Sequence, residues 1–129
     1  MGLIKSLVGN SPKQNAPETN VPWVPLNEIS MLDSIQAKSD ERPQLIFKHS
    51  TTCGISRMVL NMFNGNYGYA DEFDTYYLDL HAHRDISNGV AQKFGVIHQS
   101  PQLLVVKNGQ VVYHTSHGAI TDVDLNAFL

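Results

Sequence analysis

Gln44-Leu-Ile-Phe-Lys-His-Ser-Thr-Thr-Cys-Gly-Ile-Ser-Arg-Met-Val-Leu-Asn-Met-Phe63 is the stretch on which the fold turns. Its first six residues, Gln44 to His49, form a short apolar run suited to a buried strand. From Cys53 to about Asn64, Ile55, Val59, Met62 and Phe63 recur at helical spacing, which predicts a helix with one inward face. The polar Ser50-Thr-Thr52 between them marks a strand-to-helix turn and leaves Cys53 at the head of the helix.

Upstream, Asn27 to about Lys38 carries Ile29, Leu32 and Ile35 at three-residue spacing, with Asn27 as N-cap, and predicts a second helix. Ser39-Asp-Glu-Arg-Pro43 ends it, because the residue before a proline is pushed out of the helical region. Downstream, Asn64-Gly-Asn-Tyr-Gly68 interrupts the pattern with two glycines. Thr75 to Leu80 (TYYLDL) reads as a strand by its aromatic and β-branched content. Ile86, Val90 and Phe94 predict a further helix, closed by Gly95. Gln102–Lys107 and Gln110–Thr115 read as strands around Asn108-Gly109, the strongest short hairpin signal. Thr121 to Leu129 is predicted to be helical, with Thr121 as N-cap and Asp124 completing a capping box.

The predicted order is helix, strand, helix, strand, helix, hairpin and a last helix. A βαβ unit followed by ββα is the layout of a thioredoxin fold. An α/β domain with a central four-stranded mixed sheet flanked by helices is therefore expected over residues 22–129. Residues 1–21 read as a flexible N-terminal arm, since Ser11 to Asn20 is polar and has no periodic apolar residues. Trp23 and Leu26 are expected to open the packed part as core residues. The length of 129 residues fits one domain, and 42% hydrophobic residues suffice for its core without disulfides.

Lys and Arg number 9 against 12 Asp and Glu, a net charge of -3, and no basic stripe is present, so nucleic acid is not an expected partner. No apolar run approaches the ~18 residues of a membrane span, and the N-terminal apolar patch is too short for a secretory leader, so no membrane partner is expected. The single cysteine precludes an internal disulfide and favours a reducing compartment, so the cytoplasm is the expected location.

A lone cysteine is most often a small buried hydrophobe, so its surroundings decide its role. Cys53 stands where unpaired first-turn N–H groups and the helix dipole gather about +0.5 of positive charge. A thiolate is favoured at such a place, and the thiolate is the attacking species in disulfide exchange. Ser56 lies one helical turn on, from where a hydroxyl can donate to the sulfur, and Thr52 adds a second polar group. Both are expected to stabilise the thiolate. His49, at the end of the preceding strand, is a further candidate. Pro101 directly precedes the Gln102 strand, where thioredoxin folds carry a cis-proline facing the active-site helix. With Ser100 it is expected to order an incoming backbone as the substrate-binding pair. Asp79 reads as a solvated charge at a strand end.

Together these residues resemble a known family. Phe47-Lys-His-Ser-Thr-Thr-Cys-Gly-Ile-Ser-Arg-Met-Val-Leu60 is similar to the active-site stretch of the YtxJ family, the monothiol bacilliredoxins. Three further segments agree: His83-Arg84 with Ser87-Asn88; Gly95-Val-Ile-His-Gln-Ser-Pro-Gln102; and His114-Thr-Ser-His117 followed by Ile120-Thr121. The resemblance covers Trp23 to Leu129. It implies a thiol-disulfide oxidoreductase that removes the low-molecular-weight thiol bacillithiol from S-bacillithiolated client proteins. Cys53 would be the catalytic residue, bacillithiol the thiol co-substrate, and no cofactor would be needed. With no second cysteine in the chain, a separate thiol must regenerate Cys53. His114 and His117 fall in matched segments with no role attached to them. Two departures are Gly54, where many members carry proline, and Gly118, where an aromatic residue is common.

Other readings use the same residues. His81, His83, His114 and His117 with Cys53 offer zinc-type donors, but their spacings are short pairs without a strict signature, and no metal is expected. A glutaredoxin-like protein using another small thiol would share the chemistry. A non-catalytic thioredoxin-fold redox sensor or adaptor would share the fold. Turnover separates the last from an enzyme, since a sensor forms one mixed disulfide and stops.

Overall fold

A computed structural model describes residues 20–69 and 72–129, so the arm expected at residues 1–21 lies outside the described residues except for its last two positions. In chain order the elements are β1 (Val24–Pro25), α1 (Met31–Lys38), β2 (Gln44–His49), α2 (Gly54–Asn66), β3 (Asp74–Asp79), α3 (Arg84–Phe94), β4 (Gln102–Lys107) and β5 (Gln110–Ser116). Two 3-10 helices, His117–Asp122 and Leu125–Phe128, close the chain.

The strands form one mixed sheet in the order β1-β3-β2-β4-β5. β2 pairs in parallel with β3 and antiparallel with β4, so it is central, and every one of its residues is buried. That is why its apolar residues run without alternation. The expected four-stranded sheet has a fifth strand, because Val24 and Pro25 pair in parallel with Tyr76 and Tyr77. Two residues, one of them a proline, are too short a strand for any alternation to reveal.

The pleat of β2 divides the core into two layers. Leu45 and Phe47 face α2 and the 3-10 helices, packing with Val59, Phe63, Ile120 and Leu125. Ile46 faces α1 and α3, packing with Leu32, Ile35, Ile86 and Val90. By the same period of two, His49 continues the α2 face and Lys48 the α1/α3 face. Trp23 is partly buried against Phe47 and Phe63, each with its ring centroid at 5.9 Å, and its Nε1 donates to Asn64 Oδ1 at 2.8 Å. Leu26 is fully buried, and Val21 also lies in the core.

Three elements differ from the sequence pattern. The first helix begins at Met31 rather than Asn27, because residues 28–32 are wound by i→i+3 bonds, Met31 N–H to Glu28 O and Leu32 N–H to Ile29 O. Ile29 therefore stays exposed while Leu32 and Ile35 are buried. Helix α2 continues through Gly65 and turns Ser56, Val59 and Phe63 inward, leaving Ile55, Met58 and Met62 exposed. The last predicted helix is instead the pair of 3-10 segments, each docking one buried residue, Ile120 or Leu125. These anchors are five apart, a spacing that one helical stripe does not supply. Thr121 accordingly bonds back to Gly118 O, and Asp124 caps only the second segment, accepting from Asn126 N–H at 3.1 Å.

Two turns are as the sequence predicts. Gly95 ends α3 in the left-handed region at φ 67. Asn108 and Gly109, at φ 54 and 83, both take positive φ and so match the twist of the β4–β5 hairpin. Among the described residues, no helix is long and apolar enough to cross a membrane.

Candidate active site

β2 and β3 end side by side with His49 opposite Asp79, so the loops that follow them meet at one end of the sheet. β4 runs antiparallel to β2, with Gln102 opposite Lys48, and this brings Pro101 to the same end. β5 returns there too, with Ser116 opposite Gln102 and His117 next in the chain. The topology thus gathers Cys53, Ser100–Pro101 and His117 at one edge.

Cys53 is the N-cap of α2, in an extended conformation at φ -106 and ψ 121, and is partly exposed. Its N–H donates to Ser50 O at 3.2 Å and its carbonyl accepts from Arg57 N–H at 3.1 Å, the first bond of the helix. Its side chain makes no capping hydrogen bond to the first turn of α2. The Arg57 guanidinium donates to Thr51 O at 3.4 Å and adds a cation to that turn.

The hydroxyls expected to donate to the sulfur are committed elsewhere. Ser56 is fully buried; its Oγ accepts from Ser50 N–H at 3.0 Å and lies 2.8 Å from His49 Nδ1. Burial, the largest effect, holds His49 below its ordinary value, with Arg57 and His81 adding to this and Asp79 opposing it. A neutral ring satisfies all three groups if Ser56 donates its proton to Nδ1 and the ring carries its own on Nε2. Thr52 Oγ1 lies 3.1 Å from His81 Nε2, and Ser50 Oγ completes the cluster at 2.9 Å from the same nitrogen. Ser56 and Thr52 therefore shape the loop that carries Cys53 rather than touch its sulfur. Asp79 caps the neighbouring turn, accepting from His81 and Ala82 N–H at 3.1 and 3.3 Å.

The Ser100–Pro101 peptide bond is cis. Ser100 Oγ is buried with no hydrogen-bond partner, and Pro101 O accepts from His117 N–H at 3.0 Å. His117 takes a positive φ of 58 and is exposed, at the Cys53 end of the sheet. His114 stands opposite Leu104, two rungs into the sheet from Gln102, so the two histidines do not share a location. Among the described residues, no three His, Cys, Asp or Glu side chains converge to hold a metal.

Ser50, Lys48 and His98 carry no separate expectation from the sequence, and His81 enters there only as a zinc-type donor. The one legible signal was Lys48, a charged residue inside an otherwise apolar strand. Its buried surroundings depend on parts of the chain far from it in sequence.

A family model described as monothiol bacilliredoxin BrxC matches residues 24–125. A solved structure described as a candidate oxidoreductase with a thioredoxin fold is 34% identical, with TM-score 0.64, covering 75% of this chain and 84% of that one. Thioredoxin from Malassezia sympodialis is 20% identical with TM-score 0.62, covering 87% of this chain and 90% of its own. Oxidised thioredoxin O2 from Arabidopsis thaliana is 18% identical with TM-score 0.63, covering 81% and 90%. The two thioredoxins show the shared fold alone.

Proposed function

The chain belongs to the monothiol bacilliredoxin family, a family of thiol redox proteins, and from that membership we propose that it removes bacillithiol from protein mixed disulfides through Cys53. The observation that carries this reading is a single partly exposed thiol at the head of α2, in a chain with no second cysteine. In the first step the Cys53 thiolate attacks the bacillithiol sulfur of the mixed disulfide. The new bond is Cys53–S–S–bacillithiol, the client sulfur leaves as a thiolate, and that thiolate takes a proton from solvent. In the second step a separate low-molecular-weight thiol attacks the adduct, leaves as a disulfide with bacillithiol and returns Cys53 as the thiolate.

Cys53 heads α2, and the Arg57 guanidinium lies in the same first turn, bonded to Thr51 O. Ser56 and Thr52 act through the loop: Ser56 holds Ser50 N–H, and Thr52 is tied with Ser50 to His81. Ser100 and Pro101 are the substrate-facing pair, joined by the cis peptide bond at the Cys53 end of the sheet. His49 positions Ser56, and His117 supports the Pro101 carbonyl through its backbone, whereas His114 stands on β5 opposite Leu104. We assign the reaction to the cytoplasm, where a lone exposed thiol stays reduced.

The test is turnover of a bacillithiolated client protein with bacillithiol as the second thiol. Wild type is expected to release the client thiol through many cycles and Cys53→Ser to release none. Release by Cys53→Ser at the wild-type rate overturns the proposal. A single stoichiometric burst by the wild type makes the protein a sensor.

A further inference from the structure

Lys48 is fully buried on the α3 side of β2, and among the described residues no carboxylate pairs with it. Its Nζ lies 3.3 Å from Ser87 O on α3 and 3.2 Å from His98 Nδ1 in the loop that leads to Pro101. Ser87 Oγ also reaches His98 Nδ1, at 3.3 Å. Because an ammonium only donates, His98 must present an unprotonated Nδ1 to it. Burial and the charges of Lys48 and Arg84 hold His98 below its ordinary value, as that role requires. Burial alone pushes Lys48 down to about 8.

A second staple sits on the same rung. Gln102, directly opposite Lys48 and itself buried, donates from Nε2 to Ile97 O at 3.0 Å and accepts from Gln99 N–H at 3.4 Å. Three buried polar side chains, Lys48, Ser87 and Gln102, thus pin residues 97, 98 and 99 from behind, although all three of these loop residues are exposed. Burying a lysine without a counter-charge is costly. Here it fixes a solvent-facing segment that ends at Ser100–Pro101, from the same strand that leads into Cys53.

We propose that Lys48, acting through His98, is a positioning residue for the Cys53 reaction: it locks residues 97–100 so that Ser100 and Pro101 hold a fixed geometry against the bound disulfide. This inference rests on the reading of Cys53 as nucleophile and Ser100–Pro101 as the substrate-facing pair. It assigns Lys48 no contact with substrate and no part in activating the sulfur. The lock therefore bears on substrate recognition and leaves the intrinsic reactivity of the thiol alone.

Four proteins test it: wild type, Lys48→Met, His98→Leu and His98→Asn, whose side-chain oxygen takes the place of Nδ1 as acceptor. The readouts are amide hydrogen exchange of residues 97–100, KM and kcat on a bacillithiolated peptide, and the rate of Cys53 alkylation by iodoacetamide. Lys48→Met and His98→Leu are expected to speed exchange in the loop about tenfold, the effect of losing one hydrogen bond to a charged group. They should raise KM about tenfold while kcat and alkylation stay within about twofold. His98→Asn should restore both exchange and KM. Unchanged exchange in Lys48→Met and His98→Leu, or faster exchange with unchanged KM, overturns the role of Lys48. A wild-type protein without turnover removes the reaction itself, while its exchange data still show whether Lys48 pins the loop, so the two failures are told apart.

Discussion

Replacing Lys48 with methionine removes a buried charge and leaves a side chain of similar length in its slot. Burial pushes the Lys48 ammonium from 10.5 down to about 8. Between those values the folded protein binds fewer protons than the unfolded chain, so stability rises with pH across that window. Below it, the folded state carries the full cost of the buried charge. At 1.36 kcal/mol per unit, the interval from 10.5 to about 8 amounts to about 3 kcal/mol. Methionine carries no such cost, and losing the bonds to Ser87 O and His98 Nδ1 offsets about 1–2 kcal/mol of the gain. Lys48→Met should therefore match or exceed wild type in stability near neutral pH, by about 1 kcal/mol. Wild type should then recover about 2 kcal/mol on the variant between about pH 7 and about pH 9.5. Urea unfolding of both proteins over that range, under reducing conditions, measures the difference. The range stops short of the region where Tyr67, pushed up to about 12 mainly by burial, contributes a slope of opposite sign. A difference that does not change with pH, or a variant about 2 kcal/mol or more less stable than wild type near neutral pH, would refute the reasoning.

Three further outcomes follow from the same geometry. Ser56→Ala leaves the buried Ser50 N–H and His49 Nδ1 without their partner and should cost about 2–3 kcal/mol in urea unfolding. Gly54→Pro should stabilise by about 0.5–1 kcal/mol, because Cys53 already holds the extended backbone that proline demands of its predecessor and the first helical position tolerates the missing N–H. A loss of stability there, by thermal melting, would show that Gly54 is needed for its own sake. Burial lowers His49 from 6.5, so the unfolded chain takes up a proton that the folded state resists. Stability should fall as pH drops through about 6.5 and lower, less steeply in His49→Gln, as urea unfolding at a series of acid pH values would record.

The fold was legible where a residue's neighbours in sequence are also its neighbours in space. Gln44–His49 shows its central place by the unbroken apolar run Leu45-Ile-Phe47, and Asn108–Gly109 shows the hairpin because both positions need positive φ. The inward face of α2 was harder to read, since Ile55 and Met62 stand at helical spacing as Val59 and Phe63 do, and only the packing decides that they point outward. β1 escaped because its pairing with β3 joins residues some fifty positions apart through two residues of strand.

The site divides in the same way. Cys53 was legible because a strand-to-helix turn is local. The partners of Ser56 and Thr52 were not, because they lie on His49 across the helix turn and on His81 after β3. Lys48 was visible as a charge in an apolar strand, but its purpose depends on Ser87 and His98, 39 and 50 positions further along the chain.

The central claim is that Cys53 is a thiol nucleophile matched to bacillithiol. The most direct test is the intact mass of the protein after incubation with bacillithiol disulfide or with glutathione disulfide, with Cys53→Ala alongside. A bacillithiol adduct that forms faster than the glutathione adduct, and is absent from Cys53→Ala, is the predicted result. Absence of any adduct on wild type, or faster labelling by glutathione, would contradict it.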